Sequence, residues 1–197
     1  ELSFDDGIEG PMELCLLCRA CESTCPSAVE FGSMMEITRH EMFQANTKGR
    51  MARGFQNFML RTVLPSRRWM SFVATMTRLY THRGPQRIVR ALGLTKILPG
   101  TLGRMEESVP TVPSRKFRKP LAALTTPNIK KLKGRVGILA GCVMPELFGE
   151  INRQTVDALV AQGYEVVVPK SQTCCGALHS HAGDKDSAVE LARQNID

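Results

Sequence analysis

Four cysteines fall within eleven residues, Cys15, Cys18, Cys21 and Cys25, and Pro26 follows the last of them. This C-x2-C-x2-C-x3-C-P spacing is the ligand pattern of a bacterial ferredoxin-type run. Three thiolates at three-residue intervals in a tight loop can reach three corners of a [4Fe–4S] cubane, and soft sulfur suits iron. The chemistry on offer is electron transfer. In two-cluster ferredoxins the fourth cysteine of such a run serves the other cluster. Cys25 is therefore expected to ligate a second cluster, whose own run would lie upstream. No such run precedes Cys15, and the sequence opens on Glu1, so it is expected to be a piece of a longer protein. A zinc knuckle or inert thiols are the competing readings, but zinc sites usually pair two C-x2-C units across a longer loop.

Three further cysteines make a second constellation: Cys142 after Gly141, and the adjacent pair Cys174-Cys175 before Gly176. Residues 135–140 read as a buried strand that turns out at Gly141-Cys142. Residues 147–162 carry Leu147, Phe148, Ile151, Leu159 and Val160 in an amphipathic pattern with Gly163 as a stop, and 164–168 read as a second strand. A strand–helix–strand unit implies parallel pairing through a right-handed crossover. Cys142 and Cys174 then both lie along the carboxyl edge, where open parallel sheets bind ligands. Gly176 lets the backbone approach closely. Buried structural thiols are the plainer reading, yet an adjacent pair at a strand end fills a core poorly. Cys142, Cys174 and Cys175 are thus candidate ligands of a further, incomplete site. His179 and His181 could act as ligands or proton carriers, against the commoner surface or satisfied histidine.

The elements that must position these residues differ in composition along the chain. A helix is expected from about Gly32, with Met34-Met35, Ile37-Thr38 and Met42 as its apolar face. A second fits 53–64, with Phe55, Phe58, Met59 and Val63 on one side. After Pro65-Ser66 a third places Trp69, Phe72, Val73, Met76 and Tyr80 at core spacing, and Pro85 opens a short fourth ending near Gly93. Residues 99–134 hold five prolines and two basic clusters and read as an extended linker. Four segments follow: 1–50, 51–98, 99–134 and 135–197. Their charge is uneven, −7 over residues 1–37, +18 over 38–135 and −4 beyond, for a net +7. Docking of the basic middle to an acidic partner or an anionic lipid surface is expected. Its aromatics sit at core spacing, which argues against base stacking and specific nucleic-acid binding. No apolar run approaches the roughly 18 residues that would span a bilayer. Seven cysteines without an export leader disfavour a disulfide framework, so a reducing, cytoplasmic location is expected.

The run CLLCRACESTCPSAVEFG resembles the second cluster motif of the glycolate oxidase iron–sulfur subunit family. The segment from GRVGILAGCVMPELF to SQTCCGALHSHAGD is similar to the start of that family's cysteine-rich CCG domain. The same two parts occur in the iron–sulfur subunits of anaerobic glycerol-3-phosphate dehydrogenase and lactate-utilisation enzymes, and in heterodisulfide reductases. The resemblance implies a fold of α+α/β class: an α-helical ferredoxin-like module, a basic helical connector and the start of an α/β CCG domain with parallel strands. It implies that Cys15, Cys18 and Cys21 bind one [4Fe–4S] cluster and Cys25 helps bind another, with a further cluster in the CCG domain. There the family adds a C-x-x-C some 35 residues after the Gly of CCG, whereas only 21 residues follow Gly176. The implied role is the electron-transfer subunit of a glycolate or 2-hydroxy-acid dehydrogenase. Electrons would come from FAD-containing partner subunits and leave to a quinone-side acceptor, at the inner face of the cytoplasmic membrane. The nearest rival is a heterodisulfide-reductase-like or an anaerobic glycerol-3-phosphate or lactate dehydrogenase iron–sulfur subunit, and the rival of another class is a non-redox metal-binding interaction module.

Overall fold

The computed structural model describes residues 6–45, 49–82, 84–97 and 102–196. In chain order the first elements are helices α1 (Asp6–Leu14), α2 (Ala20–Thr24), α3 (Phe31–Ala45) and α4 (Arg50–Phe58), the last running into a π-helical turn at Met59–Val63. Helices α5 (Arg67–His82), α6 (Pro85–Ala91), α7 (Leu94–Ile97) and α8 (Leu102–Glu107) follow, then strands β1 (Leu124–Thr125) and β2 (Gly134–Gly137). The chain closes with α9 (Met144–Leu147), α10 (Gly149–Ala161), β3 (Tyr164–Val167), α11 (Ala177–His181) and α12 (Lys185–Ile196). The molecule is mostly helical with one small mixed sheet. It divides into two units, Glu1–Thr62 with Cys175–Asp197, and Val63–Cys174.

In the first unit α3 is the central helix, packed by α1, α2 and α11. Its buried face is Met35 and Met42, while Met34 and Ile37 are more than half exposed. The expected apolar face is thus half right. Positions 35, 39 and 42 follow the helical step of four then three, so Arg39 shares the inner face. Gly32, at the start of α3, lies so close to α2 that an added Cβ would meet Arg19 Nε at 2.6 Å and Glu22 Oε1 at 2.8 Å.

In the second unit β2 and β3 pair in parallel, Gly134 opposite Tyr164 and Gly137 opposite Val167, with α10 as the crossover. The pairing follows the expectation, though β2 is shorter than the segment 135–140. The core is Val156, Val166 and Val168, against which Leu121, Ile138, Leu159 and Val160 pack. Two features depart from the sequence reading. β1 lies inside the expected linker and pairs antiparallel with β3, giving the sheet order β1-β3-β2, and α8 interrupts the same linker. Pro85 does open α6, at its first turn. The apolar residues of α5 do not form the core: Trp69, Phe72, Val73 and Met76 are 36–54% exposed, and Ala74 is the buried residue of that helix. Phe55 and Phe58 of α4 are likewise exposed, whereas Leu60 and Val63 of the π-turn are buried. The aromatic spacing is helical in both cases, but spacing alone does not say which way a stripe faces.

Candidate metal centre

The loop from Cys15 to Cys25 is built from a backbone that side chains rarely permit. Leu17 and Arg19 have φ of 54° and 58°, and Ala28 beyond the loop has 51°. A left-handed residue other than glycine costs roughly 1–2 kcal/mol, and such strain gathers at functional sites. These turns flank Cys18 on both sides and follow Cys25. Cys18 and Cys21 are exposed, and Cys15 and Cys25 are partly buried.

Neighbouring groups hold the loop in place. Glu22 accepts the Gly32 N–H at 2.5 Å, which suits a carboxylate at a helix N-terminus. Arg19 pairs with Glu36 at 3.3 Å. Arg39 is the main clamp. Its guanidinium donates to the carbonyls of Met12 (2.7 Å), Cys15 (2.5 Å) and His181 (2.7 Å). One side chain therefore ties the first cysteine to the segment that follows the Cys174-Cys175 pair. The sequence offered no signal for this role, because Arg39 reads as one more cation at the start of the basic block.

The sulfurs themselves receive backbone donors. The Leu17 N–H points to Cys15 Sγ at 3.4 Å. Backbone N–H groups of Val29, Ser27 and Ala28 hold the Cys25 thiol below its ordinary value, the Val29 contribution being largest, against a smaller opposing effect of burial. Donors aimed at sulfur favour the thiolate, the form that binds iron. The donors at Cys15 and Cys25 fit thiolate ligation of iron, and Cys18 and Cys21 are exposed thiols at the matching spacing. Among the described residues no three His, Cys, Asp or Glu side chains converge on a single metal ion. A cubane asks for a different arrangement, with its cysteines spread over a cluster of several irons.

In the second unit Cys142 and Cys174 come together, their Sγ atoms 3.3 Å apart across 32 residues of sequence. That is a thiol contact, well beyond the roughly 2.05 Å of a disulfide bond. Cys174 is buried and Cys142 partly so. The pair borders a cavity of about 310 Å³ at the carboxyl edge of β2 and β3, also lined by Arg67, Lys119, Asn152 and Lys170. Gln172 closes one side, accepting the Ala140 N–H at 2.6 Å and donating to the Ile138 carbonyl at 3.2 Å. Cys175 is exposed and lines a groove of the first unit with His40, Glu41 and Ser180. There Gly176 turns with φ of 82°, and a Cβ would meet the Ala188 carbonyl at 2.8 Å.

His179 is not at the surface. It is completely buried, with Nε2 2.7 Å from the Leu60 carbonyl. His181 has a buried Nδ1 without a hydrogen-bond partner. Beside them Asp184, also buried, takes a two-pronged bond from Arg61 at 2.8 and 3.0 Å. Of the readings the sequence left open, the satisfied histidine is the one His179 follows; the Arg61–Asp184 pair, more than a hundred residues apart, gave no sequence signal.

A cysteine pair at the carboxyl edge of a parallel strand pair, together with a ferredoxin-type ligand run, defines a cysteine-rich iron–sulfur protein. Residues 136–197 match the family model described as cysteine-rich domain, and residues 51–109 match that of the glycolate oxidase iron–sulfur subunit, linker region. The probable glycolate oxidase iron–sulfur subunit of Bacillus subtilis (strain 168) is 36% identical over 192 residues, covering 98% of this chain and 43% of that protein. The glycolate oxidase iron–sulfur subunit of Escherichia coli (strain K12) is 30% identical over 186 residues, covering 94% of this chain and 39% of that protein. An uncharacterized iron–sulfur protein of Methanococcus maripaludis is 32% identical over 69 residues, 35% of this chain and 14% of its own length. No solved structure matches. The chain belongs to the glycolate oxidase iron–sulfur subunit family and spans less than half the length of its curated relatives.

Proposed function

We propose that this chain is an electron-transfer subunit of a glycolate or related 2-hydroxy-acid dehydrogenase. Substrate oxidation would occur on FAD-containing partner subunits and electrons would leave to a quinone-side acceptor. Residues 1–50 would form the second half of an α-helical ferredoxin domain, 51–98 a basic helical segment, 99–134 a connector, and 135–197 the N-terminal part of the cysteine-rich domain. The observation that carries the reading is the Cys15–Cys25 run with backbone donors at the sulfurs of Cys15 and Cys25. Cys15, Cys18 and Cys21 would hold one [4Fe–4S] cluster and Cys25 would reach toward another. Cys142, Cys174 and Cys175 would contribute to a further site. Bound there, such clusters supply one-electron exchange at potentials set by hydrogen bonds to sulfur and by exposure. The chain's own part is to hold thiolates: Arg39 fixes Cys15 through its carbonyl, and the N–H groups of residues 27–29 steady Cys25. The basic middle would dock to an acidic partner surface or to an anionic membrane.

The test is anaerobic purification followed by a visible spectrum and an iron and sulfide assay. A brown chromophore bleached by dithionite is expected, and Cys18→Ser should lower both iron and sulfide because a hydroxyl is a poor iron ligand. A colourless protein containing zinc would leave the interaction module as the answer.

A further inference from the structure

Helix α5 has two working faces. The inner one holds buried Ala74, with Thr75 accepting from Arg118 at 3.0 Å and Arg78 donating to the Val112 carbonyl at 2.7 Å. The outer one presents Trp69, Phe72, Val73 and Met76, spaced by three and four so that they form a single stripe. They are 44%, 54%, 36% and 43% exposed, and the Trp69 and Phe72 rings meet edge to face at 6.0 Å. Arg68 is exposed in the first turn of the same helix, while Arg67, on the other side, lines the cavity beside Cys142 and Cys174. Around this helix the sequence is free of negative charge: from Met42 to Met105 there are twelve lysines and arginines and no aspartate or glutamate.

We propose that the outer face of α5 is an interfacial seat for an anionic lipid bilayer. Trp69, Phe72, Val73 and Met76 would enter the headgroup–acyl boundary, and Arg68 at its flank would engage lipid phosphates. Helices that lie in a membrane interface combine an aromatic and aliphatic face with flanking cations, and tryptophan favours that depth. Apart from the indole N–H of Trp69, the four outward side chains are apolar, which suits a lipid boundary. A stretch of 64 residues without a carboxylate lowers repulsion from anionic headgroups, and Glu106, which meets Tyr80 of α5, is paired with Arg90. No described helix is long and apolar enough to cross a membrane, so the contact is one of lying on the surface. The inference rests on the membrane contact proposed above and is independent of the cluster.

Trp69 is the chain's one tryptophan, so its fluorescence reports this face alone. The full chain is mixed with phosphatidylcholine vesicles and with mixed phosphatidylcholine–phosphatidylglycerol vesicles. With the anionic vesicles, co-sedimentation is expected, with Trp69 emission moved to shorter wavelength and quenched by brominated acyl chains. With phosphatidylcholine alone binding should be much weaker. The double variant Phe72→Ser, Val73→Ser changes two exposed positions and should keep its circular dichroism. Its anionic-vesicle affinity should fall by about tenfold or more, since buried Phe and Val each contribute on that scale. Binding that survives this variant with unchanged Trp69 emission would assign the membrane contact to another surface and overturn the proposal. No anionic-vesicle binding at low salt would overturn the contact itself. A Trp69 shift with polyglutamate but not with vesicles would make the occupant an acidic polypeptide and overturn the bilayer assignment.

Discussion

Cys25 differs chemically from an ordinary thiol because backbone N–H groups of Val29, Ser27 and Ala28 aim at its sulfur. A thiol held below its usual value stays ionised to lower pH. In iron-free chain the alkylation of Cys25 by iodoacetamide should reach half its maximal rate below the ordinary thiol value of about 8.5. Peptide-resolved mass spectrometry over a pH series checks this, and a half-point matching the denatured chain would contradict the donor geometry. Asp184 poses the opposite question, of stability. Burial pushes its carboxyl up, but hydrogen bonds from Arg61 and Ser187 and the Arg61 charge outweigh burial and hold it low. A depressed carboxyl stabilises the fold above the unfolded value, and that gain is lost as pH falls through the native one. Asp184→Asn should therefore cost about 1–2 kcal/mol at neutral pH, the lower part of the range for charged hydrogen bonds because Arg61 is half exposed. The difference from wild type in urea melts should shrink below about pH 3.9. At this scale the spacing of the candidate ligand run, and with it the proposal of iron–sulfur ligation, was open to reading in the sequence. The left-handed Leu17 and Arg19 were not, because neither residue type advertises that conformation, as Gly or Asn would.

Helix α5, the short α9 and the turn before β1 are joined by one buried ion pair. Arg118 Nη1 lies 2.9 Å from Glu146 Oε2, both side chains are almost fully buried, and Arg118 also reaches Thr75 Oγ1 at 3.0 Å. Removing one partner strands the other charge away from water. Arg118→Met is expected to destabilise by about 3–5 kcal/mol, read as a lower urea midpoint. Arg118→Met combined with Glu146→Leu should recover much of that loss, since a buried pair replaced by apolar side chains is often close to neutral. If the double variant is no better than the single, the pair is not the source of the effect. This pairing also explains why the segment 99–134 could not be read fully. Its prolines and cations suggested an extended linker, but Arg118 is drawn inside by Glu146, and Leu124 and Thr125 add a third strand to β3. Both depend on partners at least 28 residues away, which composition does not encode. The parallel pairing of β2 and β3 was legible because a helix of α10's length leaves room for one crossover.

Across the molecule, charge is sorted into three blocks, −7, +18 and −4. Very few of the cations in the middle block have carboxylate partners within the described structure: Arg61 with Asp184, Arg90 with Glu106, Arg118 with Glu146 and Arg135 with Glu165. Lys130, Lys131 and Lys133 are exposed and can meet an outside surface, as the proposed subunit role requires. An electron-transfer subunit must meet its donor often and in one orientation, and a one-signed surface raises the encounter rate and steers the approach. The screening length shrinks from about 10 Å at 0.1 M salt to about 3 Å at 1 M. Capture of the proposed flavin-containing partner by this chain should accordingly fall steeply over that range. Replacing Lys130, Lys131 and Lys133 together with Gln tests the basic cluster that precedes β2, far in sequence from the cysteine run. Iron content should be unchanged in this variant, while partner capture at low salt weakens and its salt dependence flattens. Capture that ignores both salt and the substitution would mean that docking is apolar, and the basic middle would then be a solvated surface without a role in assembly.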